Sequence, residues 1–462
     1  MGCIMPAQKL QAQYVAIPDT NFVAWLNANG YAGCMNGNLM DTTCAAVVNA
    51  DSVWCFVSRK IDITGIQYFH RLQFLDCNND SLQTLPSPLP DSLKTILISG
   101  STLSSLPALP KYLTYLNLAS DQLTSLPLLP SSLTTLWCNE NQLSSLPTLP
   151  SGLTFLKCSV NKLTSLPTLP LGLANLDCSY NQLINLPALP LADTVLNCTY
   201  NQLTSLPIIP SGLVILDCSN NQLANLPVLS SSLRELYCYS NQLTTMPTLP
   251  SGLTTLDCGL NQLASLPTLP SGLTTLYCGP NQLTILPILP SGLTILDCGI
   301  NLLTALPDLP NCLTTFRCYN NPNLTCLPLL TRIYELDFLN TAVACIPNYG
   351  MVTYSNPLLS SLPYCYLSNP NNCTDFSDIN TINASLTFSL LPNPAHNYLT
   401  IQTENTTGAL LQLNDMQGRQ ILTANLSSSN YRLDTGHLSA GLYLVKVIDL
   451  NGRSGVRKLV IE

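Results

Sequence analysis

A twenty-residue period runs through the chain from residue 131 almost without slippage, and it constrains the fold more than any other feature. One unit, 151–170, reads SGLTFLKCSVNKLTSLPTLP. Its Asn recurs at Asn141, Asn161, Asn181, Asn201, Asn221, Asn241, Asn261, Asn281, Asn301 and Asn321, and a Cys stands three residues earlier each time, from Cys138 to Cys318. The same frame reaches back through Leu118, Ile98 and Cys77 and forward to Phe338, which makes fourteen units. A unit this short cannot bury its own apolar face. Stacked copies bury a continuous core, so the period predicts a solenoid rather than a globule.

Each unit divides into two halves. In L-x-x-L-x-C-x-x-N-x-L the second Leu and the Cys alternate, which predicts a short strand with both side chains on one face. The Asn side chain bonds backbone groups that a tight coil would leave unpaired, once per coil. In L-x-x-L-P-x-L-P, residues such as Pro167 and Pro170 fix φ and remove two donors, so an extended, polyproline-like return is expected in place of a helix. With strands ~4.8 Å apart, fourteen coils would span about 65 Å.

These features resemble the leucine-rich-repeat family, in its short bacterial class with the L-P-x-L-P signature, over residues 60–363. The resemblance implies a right-handed solenoid with a parallel β-sheet on its concave face, and the short period itself predicts a convex side with few helices and modest curvature. Effector ligases with similar repeats carry an added catalytic domain, and nothing here is large enough to be one.

Charge and composition narrow the partners. Hydrophobic residues make up 46% and charged residues 9% of the 462, which excludes a disordered chain. The net charge is -8 and the array carries no basic patch, so nucleic acid is excluded as an expected partner. No apolar run approaches the ~18 residues of a membrane span. Three His, at 70, 396 and 437, lie outside the regular coils with no catalytic companions, and no phosphate loop or nucleophile elbow is present. The chain is expected to be no enzyme, with no catalytic residue, metal or cofactor. Ten Cys in register suggest a metal or redox array, but inward-facing thiols in an apolar coil act as small hydrophobes.

The ends differ from the array. Residues 1–16 resemble the remnant of a signal peptide. Residues 17–65 are expected to cap the solenoid, with Phe22, Trp25 and Leu26 on one side of an amphipathic stretch after Ile17-Pro18-Asp19. The solenoid and its C-terminal cap occupy 66–368, and 369–389, rich in Asn, Thr and Ser, form a linker. Cys34–Cys44 and Cys365–Cys373 are the expected disulfides, since oxidation suits an exported protein. Residues 390–462 alternate in short runs separated by turns, which predicts a small antiparallel β-sandwich. This segment is similar to the C-terminal sorting domain of type IX secretion substrates. The matching residues are Pro392, Asn393 and Pro394, then Gly418, then Gly441 and Tyr443, and finally Lys458. The resemblance implies the type IX machinery as partner and a secreted or outer-surface location.

The residues beside the inward Leu and Cys are expected to face outward on the sheet as a ligand surface: Tyr115, Trp137, Phe155, Tyr180, Tyr200, Tyr237, Tyr239, Tyr277 and Tyr319. Asp177, Asp217, Asp257 and Asp297 share that face. Exposed aromatics suit recognition of a protein or glycan. They also pack on one another along a ladder, which leaves a structural or adhesive role open. A Thr row including Thr114, Thr134 and Thr154, broken at Ala174, Val214 and Arg234, is a weaker candidate for binding ice. Asp193 occupies an inward Leu position and is expected to turn to solvent on a local bulge, because burial would cost too much.

Overall fold

The computed structural model describes residues 13–55, 60–78, 81–348, 352–363, 365, 388–403, 409–415, 420–448 and 454–461. A parallel sheet of sixteen three-residue strands forms the array. Fourteen of its strands belong one each to the predicted units, from Phe74–Asp76 to Glu335–Asp337. Ser52–Trp54 extends it at one end, inside the segment expected as cap, and Tyr354–Asn356 at the other. The register is one coil per strand without drift: Leu136 sits beside Leu156, and Leu156 beside Leu176.

Every central strand residue from Leu116 to Leu336 is buried and its two neighbours are half-buried. The Leu before the strand, the Cys after it and the Leu beyond the Asn complete the core, as in Leu153, Cys158 and Leu163. All ten ladder Cys are buried and carry free thiols. Burial pushes the Cys138 thiol up to about 12, and the other nine rise for the same reason. They pack as apolar side chains.

The Asn ladder binds neighbouring coils together. Asn181 Nδ2 donates to the carbonyls of Cys178 (3.1 Å) and Ser179 (3.1 Å) in its own coil and of Cys158 (3.0 Å) in the preceding one. Its Oδ1 accepts the Leu163 amide at 3.0 Å. One side chain therefore bonds four backbone groups through the tight turn, beside backbone bonds between coils such as Val160 N–H to the Ser179 carbonyl at 2.9 Å. The residue before the Asn pays for the turn with a positive φ in every coil but the one with Pro280: Glu140, Val160, Tyr180, Tyr200, Asn220, Ser240, Leu260, Ile300 and Asn320 lie between 49° and 57°. The return segments of the regular coils carry no helix, and they close on a turn in which the last carbonyl, Pro in most units and Ser230 in one, accepts an amide three residues on, such as Leu153 N–H to Pro150 at 3.1 Å. Thr hydroxyls just before the strands donate to the carbonyl one coil back, as from Thr134 to Thr114 at 3.0 Å.

At the start, Asp19 caps the helix Thr20–Ala28 by accepting the Asn21 and Phe22 amides, both at 2.8 Å. Phe22 and Leu26 are buried beneath it. Cys34–Cys44 is formed. The second expected disulfide is corrected: Cys365 bonds Cys345, twenty residues earlier and therefore one repeat length away, with Cα atoms 4.9 Å apart. Cys373 lies outside the described residues, as do 1–12 of the suggested signal remnant.

The C-terminal segment forms two antiparallel sheets. One has three strands, Phe388–Leu391, Tyr398–Thr403 and Asn430–Asp434, and begins two residues inside the expected linker. The other has four, in the order Gln420–Asn425, Leu410–Asp415, Gly441–Ile448, Ser454–Ile461. Leu399 and Ile401 of the first pack with Leu411, Leu413, Val445, Val447 and Leu459 of the second, which makes the predicted sandwich core. Among the described residues no helix is long and apolar enough to cross a membrane.

Candidate functional site

Two rows of side chains cover the outward face of the long sheet, one on each side of the buried central Leu. Of the nine aromatics expected there, five stand on strands: Tyr115 and Phe155 in the first row, Trp137, Tyr237 and Tyr277 in the second. The other four do not. Tyr180 and Tyr200 occupy the positive-φ turn and stack there at 4.2 Å, about half exposed. Tyr239 and Tyr319 directly follow the ladder Cys, at the edge where the strands end. The period of two that assigned them to the sheet stops at the Cys, because three strand residues exhaust the extended stretch.

Tyr115, Trp137 and Phe155 make one continuous patch. Trp137 lies 6.5 Å from Tyr115 and stacks on Phe155 at 5.7 Å. Lys157 Nζ sits 5.6 Å over the Trp137 ring and 3.9 Å from Asp177. The Trp137 indole N–H is buried and has no hydrogen-bond partner among the described residues. Lys157 escaped sequence reasoning, although its position one repeat after Trp137 signals it.

The acidic residues form the second row at intervals of two coils: Asp177, Asp217, Asp257, Asp297 and Asp337. Each accepts the amide two residues on, as Asp217 does from Ser219 at 3.1 Å and Asp257 from Gly259 at 3.1 Å. Asn117 and Asn197 do the same. The recurrence of Asp and Asn here thus has a local cause, an Asx turn that ends the strand. Burial raises the carboxyls of Asp217, Asp257 and Asp297, with mutual repulsion adding to it. Tyr237, between two of these Asp, donates to Glu235 at 2.9 Å and is pushed up to about 12 by burial and that bond. Arg317 forks onto Glu335 at 2.9 and 3.0 Å and reaches Asp297 at 3.7 Å.

Gly259 and Gly299 sit where a side chain would not fit. A Cβ on Gly259 would collide with the Gly279 carbonyl and stand 3.1 Å from Tyr239 Cδ2, and one on Gly299 would collide with the Tyr319 ring. Both glycines are buried. Among the described residues no three His, Cys, Asp or Glu side chains gather as metal ligands.

Asp193 departs from expectation. It is not turned outward but fully buried, and neither carboxylate oxygen has a hydrogen-bond partner among the described residues. The coil keeps its register through this position, so stacking on both sides overrides the preference of one side chain. Burial pushes its carboxyl up to about 7, and the nearby Val195 amide offsets this only partly.

In the C-terminal sandwich Asn393 ties the first motif to the last strand. Its Nδ2 donates to the Lys458 carbonyl at 2.8 Å, and its Oδ1 accepts the Val460 amide at 2.9 Å. Pro392 and Pro394 flank it in sequence, and Gly441 and Tyr443 lie on the strand paired with that last one. Tyr443 donates to the Ser439 carbonyl at 2.9 Å. Gly418 lies outside the described residues. Residues 389–462 match the family model of the secretion system C-terminal sorting domain. The array is similar in fold to the functional domain of InlJ from Listeria monocytogenes, which includes a cysteine ladder, at 22% identity over 98% of this chain and 100% of that one, with TM-score 0.61. It is also similar to YopM, a leucine-rich effector protein from Yersinia pestis, at 28% identity over 62% of this chain and 83% of that one, with TM-score 0.51. The chain is a leucine-rich-repeat protein with a C-terminal type IX sorting domain. No curated protein matches it in sequence. The sorting domain makes this repeat protein a secreted or outer-surface one.

Proposed function

We propose that this leucine-rich-repeat protein binds a protein or glycan ligand on the concave face of its sheet after export by the type IX machinery. The observation that carries the proposal is the run Tyr115, Trp137, Phe155 with Lys157 above the indole and an indole N–H left unpartnered. Packing alone accounts for stacked rings but not for a buried donor with no acceptor. The rings supply stacking area, and Lys157 and Asp177 supply orienting charge. Tyr237 and Tyr277, alternating with Asp257 and Asp297, extend the same surface.

The test is a glycan-array and pull-down screen with the exported protein, repeated with Trp137→Ser, Tyr237→Ser and Tyr239→Ser. Loss of capture with an unchanged circular-dichroism spectrum is expected. Full capture by the folded variant would place the site elsewhere. A structural or adhesive role without a defined small ligand is the second function, and one observation favours it. Leu128, Ile208, Val228 and Ile288 stand 84–88% exposed on the Pro-rich return side, where they give apolar contact without selectivity.

A further inference from the structure

A second site lies at the start of the array, on the edge where the strands begin. An open cavity of about 850 Å³ is formed there by the turn before Ser52–Trp54 and by the corresponding turns of the next four coils. Its lining includes Asn49, Arg71, Gln73, Lys94 and Tyr112, with Asp51 as its only carboxylate.

The charge of this cavity is opposite to that of the molecule. The chain has a net charge of -8, and the sheet face carries the acidic row, yet Arg71 and Lys94 point into one polar hollow. Neither forms an ion pair within the described residues, where the salt bridges belong to Lys157 and Arg317. The Arg71 guanidinium is held at one corner by Asn49 Oδ1 at 3.2 Å, and its remaining N–H groups have no partner among the described residues. Outside the lining, Lys111 Nζ sits 4.8 Å over the Tyr112 ring. Tyr112 is 57% exposed, and so offers an apolar platform beside the cations.

Cations without an ion-pair partner, side-chain amides and an exposed aromatic match one chemical class. A pyranose ring stacks on a tyrosine, its hydroxyls bond amides, and a carboxylate takes the two parallel N–H groups of an Arg fork. We infer that this cavity is a binding site for an anionic, uronate-bearing oligosaccharide, independent of the proposed ligand surface on the sheet. Arg71 takes the carboxylate, Lys94 a neighbouring charge or ring oxygen, and Asn49 and Gln73 the hydroxyls. The cavity lies within the ordinary size range of small-ligand sites, large enough for two or three sugar rings.

Calorimetric titration of the full chain with linear tri-galacturonic acid tests the inference, with maltotriose and hexaglutamate as comparisons. Tri-galacturonate is expected to bind and maltotriose not to. The double variant Arg71→Gln, Lys94→Gln should weaken binding by about tenfold or more, since two charge-assisted contacts are lost. Trp137→Ser should leave it unchanged, which separates this site from the sheet surface. Absence of tri-galacturonate binding, equal binding by the correctly folded double variant, or tighter binding of hexaglutamate would each overturn the assignment.

Discussion

Asp121 and Asp193 are the two carboxylates that the repeat would not have chosen. Asp121 stands in the Asn ladder. Its Oδ1 accepts the Leu103 amide at 3.4 Å, but its Oδ2 has no partner, where Asn141 would direct an N–H to the carbonyls of Leu118 and Cys138. A neutral carboxylic acid supplies that missing donor, and burial pushes Asp121 up to about 7, the same value as Asp193. An acid whose folded value lies above its unfolded value stabilises the fold while protonated. That stability is present below about pH 4 and is lost as pH rises toward 7. Urea denaturation across this range should therefore show falling stability for the wild type. Asp121→Asn and Asp193→Leu should each flatten the curve and raise stability at pH 8. A wild-type profile that rises from pH 4 to 7 would mean that both acids are ionised in the fold. Val160 makes a smaller case. It holds a β-branched side chain at φ 54°, where Asn220 and Asn320 hold the same conformation at 54° and 52°. Val160→Asn should raise stability by about 1 kcal/mol in the same assay, because left-handed backbone suits Asn.

The strand and its following turn are the elements on which the proposed ligand surface stands. Their core was readable in advance: Leu, Leu, Cys and Leu at fixed offsets admit one inward assignment, and stacking enforces it. Ten thiols packed in that core should react with an aromatic disulfide only on unfolding. Immediate reaction of all ten in native protein would contradict the packing, whereas Cys312, which is exposed, should react at once. The outward face was less readable. Alternation placed Tyr115, Trp137, Phe155, Tyr237 and Tyr277 on the sheet, but it could not show that the strand ends before Tyr239 and Tyr319, or that Tyr180 and Tyr200 sit in a left-handed turn. The Asp row, expected on the binding face, also closes turns. What did hint at the turn was the recurrence of Asn at 220, 320 and 340, a residue that tolerates positive φ. The coupling of Gly299 to the Tyr319 ring was invisible for another reason, since the two residues sit one coil apart and touch only across the stack. Gly299→Ala should displace that ring and lower stability by about 1–3 kcal/mol through overpacking, read as a shift of the denaturation midpoint.

At the scale of the whole molecule, the repeat determines architecture and the last 74 residues determine destination. Both were legible because each rests on many residues: one on a period, the other on spaced motifs that the sandwich brings together through Asn393. The terminal closures were less legible. Oxidation pairs Cys365 with Cys345, and a separation of one repeat length could have suggested the pairing, but sequence order favoured the nearer Cys373. Export by the C-terminal domain is the claim on which a surface role depends, because every proposed ligand lies outside the cell. Its most direct test is fractionation of a type IX-competent bacterium that carries either the full chain or the chain without residues 389–462, with mass spectrometry of surface and supernatant fractions. The full chain should reach the surface or medium, with a fragment ending near residue 380 where the domain is removed, and the shortened chain should remain inside the outer membrane. Equal appearance of both outside the cell would contradict the account.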